Sequence, residues 1–226
     1  MTSIYQKAMG ADFEKLHPKI QERFGFDSSD NIAAIGTGTM QKIWHGPLYV
    51  LPFLYVGTWR RIMFPEQGAD IPFNIQNYAY VDKFGRETIT WVRTFKGSKE
   101  RRFDATMIYS ADRKRIIDYL GTHQHLAVEI ELSVDSKTKG MRLRSTEQRF
   151  YEGPIGFRFP MFFSGVAEVC EWYDDEIGKF RISVKVSNSR WGPLFGYDGI
   201  FDVEWKSVQA SQIPDDVKPI REENRD

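Results

Sequence analysis

The sequence predicts an all-β fold: a single antiparallel barrel, closed or nearly closed, with an N-terminal helix against one opening. Three observations carry that expectation. The first is alternation. Ile182, Val184 and Val186 alternate with Arg181, Ser183 and Lys185, and Phe201, Val203 and Trp205 alternate with Asp202, Glu204 and Lys206. A period of two sets one apolar face against a core and one polar face in water. The second is aromatic content, with 17 Phe, 10 Tyr and 6 Trp in 226 residues, which favours strands around a thick core or an apolar cavity. The third is the regular return of turn sequences between extended runs, at Asp82-Lys83-Phe84-Gly85, Lys96–Lys99, Asp135–Lys139 and Asp174–Gly178. That is the pattern of a hairpin meander. Lipocalin-like barrels are the nearest architectural analogy, and a two-sheet sandwich is the alternative.

Taken in order, residues 3–24 read as a helix, because Ile4, Ala8, Ala11 or Phe13, Leu16, Ile20 and Phe24 recur near every third or fourth position. Ser3 can cap it, and Gly25 can end it. Pro18 interrupts it, giving a helix of about three turns and then a shorter one. Ile32 to Trp44 is extended. Its Gly36 and Gly38 permit close backbone approach, and neither GxGxxG nor GxxxxGK[ST] accompanies them, so a strand is preferred to a phosphate loop. Residues 45–72 hold four prolines and an apolar middle. Leu48 to Met63 is either a short helix over a barrel mouth or a strand followed by a turn.

Hairpins follow: Phe73–Val81 with Thr88–Phe95, then Glu100–Ser110, Arg115–Tyr119, and Leu126–Val134 with Gly140–Phe150. Across the last pair, Glu129 and Glu131 face a strand carrying Arg142 and Arg144, which suits cross-strand charge pairing. Glu152 to Phe163 reads as a Gly/Pro-rich crossover, and residues 166–205 supply the closing strands. Residues 1–208 thus form one β domain. Residues 209–226 are polar and form a disordered or surface-draped tail.

Lys plus Arg and Asp plus Glu both number 31, and a generic nucleic-acid binder usually shows a basic excess. One cysteine, Cys170, excludes an intramolecular disulfide and a cysteine-based zinc cluster. With no signal-peptide pattern and no run of 18 apolar residues, the expected location is the cytoplasm. No cofactor motif is present.

Candidate chemistry is sparse. His123 and His125 lie two apart in THQHL, so on a strand they share a face; they are the weak metal candidates, needing a third ligand such as His45 or Glu129. His17, before Pro18, reads as a surface or capping residue. Asp174, Asp175 and Glu176 sit in a predicted turn, where acids need no function. Glu168 and Glu171 fall on opposite strand faces, which separates them as a catalytic pair. Cys170 reads as structural. Arg93 shares a face with Ile89, Trp91 and Phe95; facing inward it would be a buried charge that needs an acid partner or an anionic ligand head group. Arg158, between Phe157 and Phe159, poses the same question. The leading reading is therefore noncatalytic binding of a small apolar or amphipathic, lipid-like ligand near Trp59, Trp91, Arg93, Phe95 and Arg158. An interaction module using the apolar 48–64 segment against a protein or membrane surface comes second, and an enzyme with a histidine site third.

The chain also resembles a bacterial family, domain of unknown function 4166, represented by the C-terminal domain of YndJ-like proteins. The resemblance rests on IYQKAMGADFEKLHPKIQERF, VRTFKG…RRFDATMIY, LSVDSKTKGMRLR, YEGPIGFRFP and GKFRISVKVSNSRWGPLFGYDGIFDV. It is distributed along most of the chain rather than concentrated in a catalytic signature. Family members stand alone or are fused to membrane or dehydrogenase-like segments, which implies an accessory role. DRKRIIDYLGTHQHLAVE looks inserted here, and no site residue is carried over by the resemblance.

Overall fold

Sequential hairpins wind into a barrel in the computed structural model, which describes residues 2–160 and 164–226. The strands are β1 (Ile32–His45), β2 (Gly68–Val81), β3 (Glu87–Lys96), β4 (Glu100–Ser110), β5 (Arg115–Leu120), β6 (Leu126–Val134), β7 (Met141–Glu152), β8 (Ile155–Arg158), β9 (Val166–Asp174), β10 (Lys179–Asn188) and β11 (Gly192–Ser207). β1 to β7 pair in sequence, β7 continues to β9, and β9 to β11 lead back to β1, so ten strands close on themselves with β8 added beside β7. The seam joins β1 and β11 over their length, from Ile32 opposite Ser207 to His45 opposite Phe195. The fold is thus a closed antiparallel barrel of the lipocalin-like kind rather than two stacked sheets. Closure satisfies the backbone groups that an open edge would leave unpaired.

The N-terminal segment stops one end. Its helices are α1 (Ile4–Met9) and α2 (Pro18–Phe24), joined by a 3-10 turn over Gly10–Lys15. The expected longer first helix is cut short at Gly10, whose φ of 55° leaves the α-helical region. Pro18 starts α2 rather than breaking a helix, since its missing N–H is no loss at a first turn. Ser3 and Gln6 form a capping box without an acid, and His17 Nδ1 accepts from Lys19 N. The buried face of this segment enters the barrel. Trp91 Nε1 donates to Tyr5 Oη at 2.9 Å, Tyr5 Oη donates to Met107 Sδ at 3.4 Å, and Phe24 packs edge-on against Tyr5.

The difficult stretch resolves into a 3-10 turn at Leu48–Val50 and α3 (Leu51–Trp59). Its Val50 and Leu54 are buried against the barrel. Gly36 and Gly38 lie in β1, where an added Cβ would collide with Ile75 and the Ile200 backbone; close strand packing is their physical use. The stretch expected as a crossover turns back at Gly153 to form β8 instead. Residues 161–163 of it lie outside the described residues.

Residues 209–226 are draped over the outside. Ile213 and Val217 are buried against a cluster with Tyr78, Tyr80 and Val92. Outward-facing arginines hold the polar backbone: Arg86 Nη2 donates to the Glu223 carbonyl and Arg113 Nη2 to the Asp226 carbonyl. The tail is therefore a second layer over an outer wall that is itself apolar at Ile117, Tyr119 and Tyr151. On the solvated faces, charge pairing takes other partners than expected. Glu131 lies opposite Arg144, but it pairs with Arg115, and Glu129 pairs with Arg113.

Candidate functional site

Inside the barrel, β3 and β5 each carry one charged residue in an otherwise apolar inward row. On β3 the row is Ile89, Trp91, Arg93 and Phe95; on β5 it is Ile116, Asp118 and Leu120. Arg93 is 4% exposed and Asp118 7%. Both line a cavity of about 120 Å³ whose wall also includes Leu126, Val128, Ile130 and Val184. That volume lies below the roughly 300–1,000 Å³ of ordinary ligand pockets and nearer the apolar cavities of about 150 Å³ that take up benzene. A long acyl chain does not fit it as it stands.

Arg93 is held from two sides. Its guanidinium sits 3.8 Å above the Phe103 ring centre, and its Nη1 donates to Tyr197 Oη at 3.1 Å. Among the described residues no carboxylate lies within ion-pair distance, and Arg93 Nε has no hydrogen-bond partner. Asp118 Oδ1 is likewise without one. Burial pushes the Asp118 carboxyl up to about 7, with Arg93 pulling it the other way. Buried polar atoms are nearly always paired, so two orphans in one cavity mark a place for water or for polar atoms of a ligand.

A buried ion pair lies elsewhere in the interior. Arg23 of α2 donates through Nε to Glu171 Oε1 of β9, and both side chains are enclosed. Burial raises the Glu171 pKa, opposed by Arg23. Glu168 points out to solvent, so the two glutamates do occupy opposite faces. This pair ties the N-terminal plug to the wall.

Of the residues expected at a site, Trp91 and Arg93 line the cavity. Phe95 is buried beside them in a cluster with Phe64, Phe73 and Tyr197, but it lies outside the cavity wall. Trp59 stands apart on α3, 76% exposed, with Arg60 stacked on its ring at 4.3 Å. Arg158 is on β8, its side chain 72% exposed and paired with Glu147. Asp118 and Tyr197 were missed. The signal for Asp118 was a lone carboxylate in an apolar same-face row, the mirror of the Arg93 row. Tyr197, a tyrosine in a Gly-rich strand, gave none.

The other candidates lie apart from the cavity. His123 and His125 stack face to face at 5.5 Å in the loop before β6 rather than on a strand, and among the described residues no three His, Cys, Asp or Glu converge to hold a metal. Burial pushes the Cys170 thiol up to about 11, away from nucleophilic reactivity. Asp174 pairs with Arg181 and closes the β9–β10 turn.

At one end of the barrel α3 is apolar on every side, and Leu48, Phe53, Tyr55, Val56 and Trp59 project outward. Ile62 and Met63, directly after it, line the cavity. No helix among the described residues is long and apolar enough to cross a membrane.

The model of the family described as "Domain of unknown function (DUF4166)" matches residues 16–201, a range that contains Arg23, Arg93, Asp118, Glu171 and Tyr197. The chain is similar to "Uncharacterized protein YndH" of Bacillus subtilis (strain 168), at 38% identity over 206 residues, which cover 90% of this chain and 98% of that protein. By both measures, the chain belongs to the DUF4166 family.

Proposed function

We propose that the barrel binds a small amphipathic molecule and acts by holding it rather than by chemistry. The observation that carries this reading is the largely apolar cavity with, at its wall, a buried guanidinium that has no ion-pair partner among the described residues. Such a site offers burial to an apolar body and one fixed charge to a polar end, which is how small-ligand sites combine affinity with orientation. The test is native mass spectrometry of the purified protein with solvent extraction, alongside titration of small apolar probes read by tryptophan fluorescence and by calorimetry. A co-purifying small molecule, or saturable binding that Leu126→Trp abolishes by filling the cavity, is the expected result. An empty protein that binds no probe refutes the reading.

A surface reading stands beside it because α3 leaves so many apolar side chains in solvent, beyond the scattered ones that a surface ordinarily carries. Its proposed partner is an anionic bilayer. From Asn31 to Pro65 the chain contains no acidic residue, while Lys42, Arg60 and Arg61 are basic. Exposed Trp and Tyr next to arginines match the apolar–polar boundary of a membrane surface. Co-sedimentation with phosphatidylglycerol vesicles, lost in Phe53→Ser/Trp59→Ser and absent with neutral vesicles, is expected. Absence of vesicle binding, or equal binding to neutral vesicles, refutes it; a protein captured through this segment without vesicle binding would assign the face to a protein partner.

A further inference from the structure

We infer that the cavity ligand is a small monocarboxylate held at Arg93, and that its binding is coupled to uptake of one proton by Asp118. The inference rests on the binding reading above and specifies its ligand. Four observations support it. First, Arg93 is a buried cation with Nε unpartnered and no carboxylate within ion-pair reach. A buried charge of this kind is costly until an anion meets it. Second, Arg23, the other enclosed cation among the described residues, already has Glu171, so with Asp118 protonated a single monoanion at Arg93 completes the interior charge balance. A doubly charged phosphate would overshoot it. Third, guanidinium and carboxylate match in planar geometry and pair strongly when desolvated. Fourth, apart from Ser145, Gln148 and Ser164 the wall is mainly apolar, with Leu126, Val128, Ile130 and Val184 available to an alkyl or phenyl body. The volume of about 120 Å³ limits that body to roughly four to six carbons.

The proton follows from electrostatics within one cavity. Asp118 is surrounded by Met107 and Val128 on the neighbouring strands, and the groups that act on it electrostatically are Arg93 from β3 and, through Tyr5, α1. In the empty barrel Arg93 favours the Asp118 carboxylate, against burial. A ligand carboxylate at Arg93 cancels that attraction and adds a like charge to the same enclosed space. Both effects raise the proton affinity of Asp118, so the anion and a proton enter together. Atoms and charge balance: one R–COO⁻ and one H⁺ are taken up, and no bond of the ligand changes.

The experiment is isothermal titration calorimetry of the full chain with hexanoate, 1-hexanol and inorganic phosphate, at about pH 6 and about pH 8. Running two buffers of different ionisation enthalpy counts the protons. Hexanoate binding is expected, weakening by up to about tenfold per pH unit above pH 7, with close to one proton taken up per ligand at the higher pH. At about pH 6, where the acid, alcohol and phosphate are compared, hexanol and phosphate are expected to bind at least about tenfold more weakly, a margin one lost charged hydrogen bond exceeds. In Asp118→Asn binding persists, while proton uptake and pH dependence disappear; in Arg93→Met hexanoate loses its advantage over hexanol. Hexanol binding as well as hexanoate, phosphate binding comparably, or hexanoate binding with no proton uptake each overturns this inference while leaving the ligand-binding reading in place. If neither acid nor alcohol binds, both readings fall. The alcohol and buffer comparisons use the unaltered protein, so a variant that does not fold leaves the result decidable.

Discussion

Replacing Asp118 by Asn removes an ionisation while leaving side-chain size unchanged, and the consequence for stability can be worked from the site. Burial lifts this carboxyl from an ordinary 3.8 to about 7. A folded pKa above the unfolded one means that the folded chain holds more protons between those two values. Stability therefore falls as pH rises from about 4 to about 7 and levels off above. The whole shift is equivalent to about 4 kcal/mol, of which about 2.5 kcal/mol is lost between pH 5 and pH 8. The Asp118→Asn chain does not ionise there and escapes that loss. Guanidinium unfolding of both chains at the two pH values should show the advantage of Asp118→Asn growing by about 2.5 kcal/mol on going to pH 8. In a chain of this length that is a relative shift of about 5–10 °C in Tm. A stability difference that stays constant within about 1 kcal/mol between the two pH values would refute the claim that Asp118 is desolvated beside an unmatched charge.

The remaining predictions concern the plug and the outer layer. Glu171→Gln leaves Arg23 enclosed without its counter-charge and should cost about 3–5 kcal/mol in denaturant unfolding; a loss below about 1 kcal/mol would show that water reaches Arg23. Tyr5→Phe removes the acceptor of the Trp91 indole N–H and should cost about 1–3 kcal/mol with a shifted Trp emission; unchanged stability and emission would mean that the indole finds another partner. Ile213→Ala should cost about 2 kcal/mol or more and speed proteolysis within residues 209–226, because Ile213 is one of two apolar anchors of that segment. Equal proteolysis rates would show that the arginine contacts alone hold the tail.

How much of this was legible in the sequence depended on whether a residue's neighbours were local. The alternation in residues 181–186 and 201–206, and the turns at Asp82–Gly85 and Asp135–Lys139, record interactions within one hairpin. They identified the strands and the antiparallel class. The apolar 48–63 stretch was ambiguous because a short apolar run has no reliable period. It became a helix over the barrel end. For the tail, composition left disorder and surface draping open; the structure drapes it, because outward arginines meet its backbone carbonyls and Ile213 and Val217 anchor it.

The sequence by itself determined a β meander with an amphipathic N-terminal segment, and it marked Arg93 as a charge in an apolar row. That much follows from period-two patterning, which survives without knowledge of partners. Only the tertiary structure decided that the row faces inward, that Tyr197 rather than an acid meets Arg93, and that Asp118 shares its cavity. It also separated Trp59 and Arg158 from that cavity. The physical reason is closure. Joining β1 to β11 brings side chains far apart in sequence around one interior, and whether a buried charge is matched there depends on which strands meet across it.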